Sequence, residues 1–127
     1  MGGLSVQYQP ITLTLAGYAQ GTGIRLAIPP ANATRLGPYK GQRVTLGIRP
    51  EDLHIAAGAD QAPYVFDAVV DVVEPLGSEI LLDVKAGPNS LVARVDPTVR
   101  LKVHDGVRLA VNSERLHFFD TTSEKAI

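Results

Sequence analysis

Apolar and polar side chains alternate with a period of two in short runs between turn-forming residues, and this leaves the chain few folds to choose from. Successive residues of a strand point to opposite faces, so the alternation places one set of side chains in a core and the other in water. Ile11, Leu13 and Leu15 alternate with Thr12 and Thr14, and Ile24, Leu26 and Ile28 with Arg25 and Ala27. Val44, Leu46 and Ile48 alternate with Arg43, Thr45 and Gly47. Val65, Val69 and Val73 frame Asp67 and Asp71, while Phe66, Ala68, Val70 and Val72 form an apolar opposite face. That segment predicts a long central strand, buried on one side and partly on the other. Further strands are predicted around Ile80, Leu82 and Val84; Leu91, Ala93 and Val95; Val99, Leu101 and Val103; and Val107, Leu109 and Val111.

Between these runs stand Gly21 to Gly23, Pro29 and Pro30, Gly37 and Pro38, Gly58 to Pro63, Gly87 to Ser90, Pro97 and Asp105-Gly106, all suited to turns. Short strands so regularly punctuated point to an all-β barrel or sandwich. No segment keeps a 3.6-residue period over helical length. The Ala-rich stretch from Ile55 to Ala62 is broken by Gly58 and closed by Pro63, so little helix is expected. With 127 residues, 45% hydrophobic and 20% charged, the chain suits one domain over residues 1–127, with room for two small interlocked β lobes.

The same residues argue against most chemistries. A net charge of -1 with dispersed Lys and Arg offers no general attraction to nucleic acid or anionic lipid, and zero cysteines exclude a disulfide framework. No apolar run approaches the ~20 residues that cross a bilayer, and no signal core follows Met1, so the chain reads as cytosolic. A phosphate-cradling glycine loop with its Lys and Ser or Thr is absent; Gly21-Thr22-Gly23 is better read as a hairpin turn. His54, His104 and His117 share no ligand spacing. Ser113, His117 and Asp120 lack a nucleophile elbow and an oxyanion hole. Glu74 and Glu79 flank a glycine turn where a carboxylate pair could form at a strand corner, but they are read as solvated turn charges with room for a salt bridge. No catalytic, cofactor-binding or metal-binding residue is assigned.

Four segments in order are more specific: VTLGIRPEDL at Val44 to Leu53, VVEPLGSEILLDV at Val72 to Val84, LVARVDP at Leu91 to Pro97, and LAVNSERLHFFD at Leu109 to Asp120. Together they resemble the TOBE-type regulatory domain of the ATPase subunits of maltose, glycerol-phosphate and multiple-sugar ABC importers. The resemblance covers the last two thirds of the chain, and the first forty residues match only in pattern. Each segment also reads physically. Pro50 ends a buried strand, with Arg49 and Glu51 placed to pair across the turn, and Gly77 folds the central strand back beside Ser78 and Glu79. Arg94 and Asp96 are candidates for a cross-strand or intersubunit ion pair, and the closing Leu116 to Asp120, with His117 and Phe119, for sealing a barrel with aromatics. Asp52 stands where the family commonly has His, and Phe118 where it has Leu.

The resemblance implies an OB-like (TOBE) barrel that is not an enzyme by itself: the regulatory and dimerisation domain of an ATP-binding subunit powering sugar import. ATP and magnesium would belong to an ATPase domain preceding it, making Met1 the start of a fragment. Implied partners are a second copy of the subunit, that ATPase domain, the membrane permease subunits at the inner face of the membrane and a regulatory protein. Nucleic acid and direct membrane insertion are not among them. Two rivals remain at this point: an oxyanion-binding module of the molybdate type using Gly77, Ser78 and Lys85, and an OB-type nucleic-acid binder.

Overall fold

A computed structural model describes residues 6–58 and 62–127; Met1 to Gly3 and the middle of the Ala-rich stretch lie outside the described residues. Among the described residues, ten strands form two antiparallel five-stranded sheets. Sheet A runs β10 (His117–Asp120), β4 (Arg43–Ile48), β1 (Gln7–Leu13), β2 (Tyr18–Gly21) and β3 (Ile24–Ala27). Sheet B runs β5 (Leu53–Ile55), β9 (Gly106–Val111), β6 (Val65–Pro75), β7 (Ile80–Ala86) and β8 (Asn89–Val95). Sheet B curls until β5 comes against β8, giving the predicted OB-like barrel character. The chain leaves sheet A after β4 and returns only at β10, so the two lobes are interlocked as expected.

Alternation becomes burial where it was read. Ile11, Leu13, Leu26, Val44, Leu46 and Ile48 from sheet A join Val70, Leu82, Val84, Leu91 and Leu109 from sheet B in one core, each no more than 3% exposed. Phe66 packs there too. β6 is the long strand predicted, yet its face pattern breaks. A β-bulge shifts its register against β7 between Val70 and Val72, turning Val72 outward instead of continuing the buried row.

Three local expectations need correction. Leu15 is 79% exposed at a turn tip, because Thr14 ends β1 by receiving the Tyr18 amide on its Oγ1 (3.0 Å). The run Val99, Leu101, Val103 is a loop. Asp96 Oδ1 accepts from the Thr98 amide and Asp105 Oδ2 from the Lys102 amide, both at 2.8 Å, which turns backbone that a ladder would need extended. Finally, Pro29-Pro30 opens a short helix, α1 (Pro30–Leu36), with Pro30 in its first turn, where a missing amide costs nothing. Only Leu36 of α1 is buried, so no helical period could appear over seven residues.

Candidate functional site

The two passages between lobes lie side by side, and the sequence explains how they are made. After β4, Pro50 opens a single helical turn over Pro50–Asp52, closed by the Asp52 amide donating to the Arg49 carbonyl at 2.9 Å. On the return path, Asn112 Oδ1 accepts from the Glu114 amide (3.2 Å) and starts a similar turn over Ser113–Arg115. The Asn112 amide donates to the Asp52 carbonyl at 2.9 Å, stitching the passages together. Asp52 is 7% exposed, and its Oδ2 accepts no hydrogen bond from any described residue; Arg115 Nε stands 3.9 Å away. That guanidinium is the counter-charge of a nearly buried carboxylate.

The first passage packs on β8 and brings most of the motif residues to one end of sheet B. Leu81 of β7 lies between Glu74 of β6 and Arg94 of β8, so those two charges share a face. Arg94 Nε contacts Glu79 Oε2 at 2.5 Å. The hydrogen bond to Glu79, then its negative charge, then the more distant Glu51, hold the guanidinium above its already high ordinary value. Arg94 therefore pairs with Glu79, not with Asp96, and among the described residues no ion pair joins Arg49 to Glu51. Asp96 closes its own loop: its carboxyl is lowered by the Thr98 hydroxyl and then the Thr98 amide. Gly77 takes a positive φ of 87° in the turn from β6 to β7, closed by the Leu76 amide on the Glu79 carbonyl at 2.8 Å. Ser78 sits beside it at the turn tip.

His117 and Phe119 stand elsewhere, on the outer face of sheet A. Tyr8 meets Phe119 edge to face with centroids 5.5 Å apart. Gly47, opposite both Tyr8 and His117, leaves the space they close over, since a Cβ there would come within 3.0 Å of Phe119. Of the closing aromatics, Phe118 is in the core and Phe119 faces out, because adjacent strand residues alternate. His54 lies on β5 and His117 on β10, in different sheets. The Asp120 carboxylate is occupied by the Ser123 and Thr122 amides (2.9 and 2.8 Å) and the Tyr39 hydroxyl (3.1 Å), so Ser113, His117 and Asp120 form no relay. Gly77 and Ser78 are likewise separated from Lys85, five residues beyond Ile80 along β7, roughly 16 Å at strand rise.

Those bonds to Asp120 have a pH consequence. The Ser123 amide, then the Thr122 amide, then Tyr39 lower its pKa in the folded state. A depressed carboxylate contributes stability above its ordinary pKa and loses it as pH falls through the folded value. Acidification below the ordinary carboxylate range is expected to release the turn holding Lys125 and Ile127 against β10. Amide exchange at Thr122 and Ser123 should rise there, while that of Leu46 in β4 does not.

The lobes are also sealed by glutamines that the sequence reading passed over. The Gln7 side chain donates to the Val92 carbonyl at 2.8 Å and accepts from the Val92 amide, as a neighbouring strand would, covering the open edge of β8. Gln9 adds a bond to the Ser90 carbonyl at 3.3 Å. The available signal was two polar residues at inward positions of an alternating strand. Gln7→Ala should lower stability by about 1–3 kcal/mol, since both Val92 groups lose their partner; urea unfolding would measure it.

Comparison with known proteins gives two family matches: the TOBE domain over residues 46–119 and the MalK OB fold domain over residues 10–53. The chain is 38% identical over 109 residues to the uncharacterized ABC transporter ATP-binding protein YurJ of Bacillus subtilis, covering 84% of this chain and 30% of that protein. It is 39% identical over 101 residues to the sulfoquinovosyl glycerol transport ATP-binding protein SmoE of Agrobacterium fabrum, covering 80% of this chain and 26% of that one. The trehalose/maltose import ATP-binding protein MalK of Thermococcus litoralis is 30% identical over 132 residues, covering 100% and 36%. This chain thus spans about a third or less of such relatives.

Proposed function

The chain belongs to the TOBE domain family, and from that membership we propose that it is the regulatory domain of an ABC importer's ATP-binding subunit, of the class that powers carbohydrate uptake. In this reading it performs no chemistry. ATP and magnesium are bound by an ATPase domain of the same subunit, and permease subunits anchor the assembly at the inner face of the membrane. The domain holds two such subunits together while their catalytic parts separate, which keeps the effective concentration of the halves high after nucleotide leaves.

The observation carrying the proposal is the TOBE match across both inter-lobe passages, in a chain whose relatives are named as transport ATP-binding proteins. A surface suited to protein contact supports it. Val69 and Val72 of β6, Leu76 in the following turn and Val103 in the adjoining loop are each 45–51% exposed. Among the described residues, no helix is long and apolar enough to cross a membrane, consistent with contact through other subunits.

Light scattering on the purified chain over a concentration series should show reversible passage from monomer toward dimer. Substituting Val69 and Val72 by Ser, or Arg94 by Glu, distinguishes the apolar stripe from the Arg49–Glu79–Arg94 end as the contact. A strict monomer at high concentration would count against self-association, and ATP turnover by this chain would overturn the proposal.

A further inference from the structure

The outer face of sheet A carries a polar row across four strands. Arg25 lies opposite Gln20, Gln20 opposite Thr12, and Thr12 opposite Arg43. Directly opposed residues are within side-chain contact distance of each other, so the row acts as one band. The band borders the seam between lobes, where the turn joining β7 and β8 approaches the turn joining β2 and β3. There Asn89 Nδ2 donates to the Thr22 carbonyl at 2.6 Å. A groove of about 740 Å³ opens at this seam, within the size range of small-molecule sites.

Its lining is chemically one-sided. Among the described residues that line it, Arg43 is the only ionisable one and none is a carboxylate. Arg94, Arg108 and Arg115 each stand within 4 Å of an acidic side chain. The Arg43 backbone is held in the β4 ladder, but among the described residues none forms a hydrogen bond or ion pair with its guanidinium. Around it stand neutral hydrogen-bonding groups: the Thr12 hydroxyl, the Gln20 amide and Asn89 Oδ1, whose companion nitrogen is already engaged by Thr22 and Ala86.

We propose that this groove binds a small polyhydroxylated anion. Its phosphate or carboxylate lies on the Arg43 guanidinium, and its hydroxyls meet Thr12, Gln20 and Asn89. A guanidinium presents a planar fork of donors that matches a tetrahedral or trigonal oxyanion. Hydroxyl and amide groups both give and take hydrogen bonds, as sugar or polyol hydroxyls require. A neutral ligand would leave Arg43 without an acceptor. Because Arg43, Thr12 and Gln20 belong to sheet A and Asn89 to sheet B, an occupant ties the lobes together and stabilises the seam. The site is distinct from the Gly77, Ser78 and Lys85 grouping, and it does not depend on the transporter reading.

The test titrates the isotopically labelled chain with glucose 6-phosphate, inorganic phosphate and glucose, followed by amide chemical shifts. Glucose 6-phosphate should give saturable shifts at Thr12, Gln20, Arg43 and Asn89, binding more tightly than either other probe. Arg43→Gln, at an exposed position, should weaken it at least about tenfold without moving the unfolding midpoint, as loss of a charged hydrogen-bonding partner implies. Thr12→Val should weaken glucose 6-phosphate but not inorganic phosphate. Glucose binding as tightly as its phosphate, unchanged affinity in Arg43→Gln, or no saturable shift at millimolar ligand would each overturn the proposal.

Discussion

Replacing Gly23 with alanine is expected to destabilise the fold by roughly 2–5 kcal/mol, combining backbone strain with overpacking. Gly23 has a φ of 85° in the two-residue turn between β2 and β3, where an L side chain is strained. It also touches the other lobe. An added Cβ would lie 2.6 Å from the carbonyl carbon and oxygen of Ala86 and from the Gly87 nitrogen, and backbone cannot swing aside as a flexible side chain can. The two turns must part, which breaks the bond from Asn89 to the Thr22 carbonyl. Against a total stability of ~5–15 kcal/mol, that is a large fraction. Chemical unfolding followed by circular dichroism would measure it. Gly106→Ala is the control: Gly106 opens β9 outside the positive-φ region, with nothing within 4 Å of a new Cβ, so its midpoint should stay or rise slightly.

Leu46→Ala is the second large effect, expected to cost about 2–5 kcal/mol. Leu46 is fully buried on β4, the strand between β1 and β10, with Gln9 on one side and Phe118 on the other. The cavity would open between a strand that begins sheet A and one that returns to it after the whole of sheet B, so relaxation on one side strains the other. The drop should appear as a lower unfolding midpoint with an unchanged denaturant slope. Leu15→Ala, at a position 79% exposed, should shift stability by no more than about 0.5 kcal/mol.

Seven of the ten strands, β1, β3, β4, β6, β7, β8 and β9, fall on alternating runs read in the sequence, because period-two patterning is a local property that survives into any sheet; the short β2, β5 and β10 do not. The failures are also local in origin. The run from Val99 to Val103 alternates like a strand, but Asp96 and Asp105 capture nearby amides and turn it into a loop. α1 has one buried residue in seven, too few for a period to register. At Val72 the alternation holds in sequence but not in space, since the bulge after Val70 inserts a residue that no pattern announces.

The candidate site was legible residue by residue rather than pair by pair. The Pro50–Asp52 turn does pack on β8 and Arg94 of β8 does meet Glu79, yet that partner came from the entry turn of the neighbouring strand β7 and not from Asp96, two residues along. Spacing along one strand says which side chains share a face. It does not say which residue of a neighbouring strand stands nearest, because register is set by turns and bulges elsewhere.

An all-β class, the turn positions and the inward set from Ile11 to Leu109 follow from side-chain order alone, because burial of alternate residues is dictated by the pleat. The pairing of Gln7 with Val92 and the stitch between Asp52 and Asn112 join residues 85 and 60 positions apart, and the groove at Arg43 joins residues from different sheets. These depend on how two curled sheets are placed against each other, which is settled by the packing of the shared core and by close approach at Gly23. No stretch of chain encodes that placement by itself, since every contact that enforces it needs both lobes already formed.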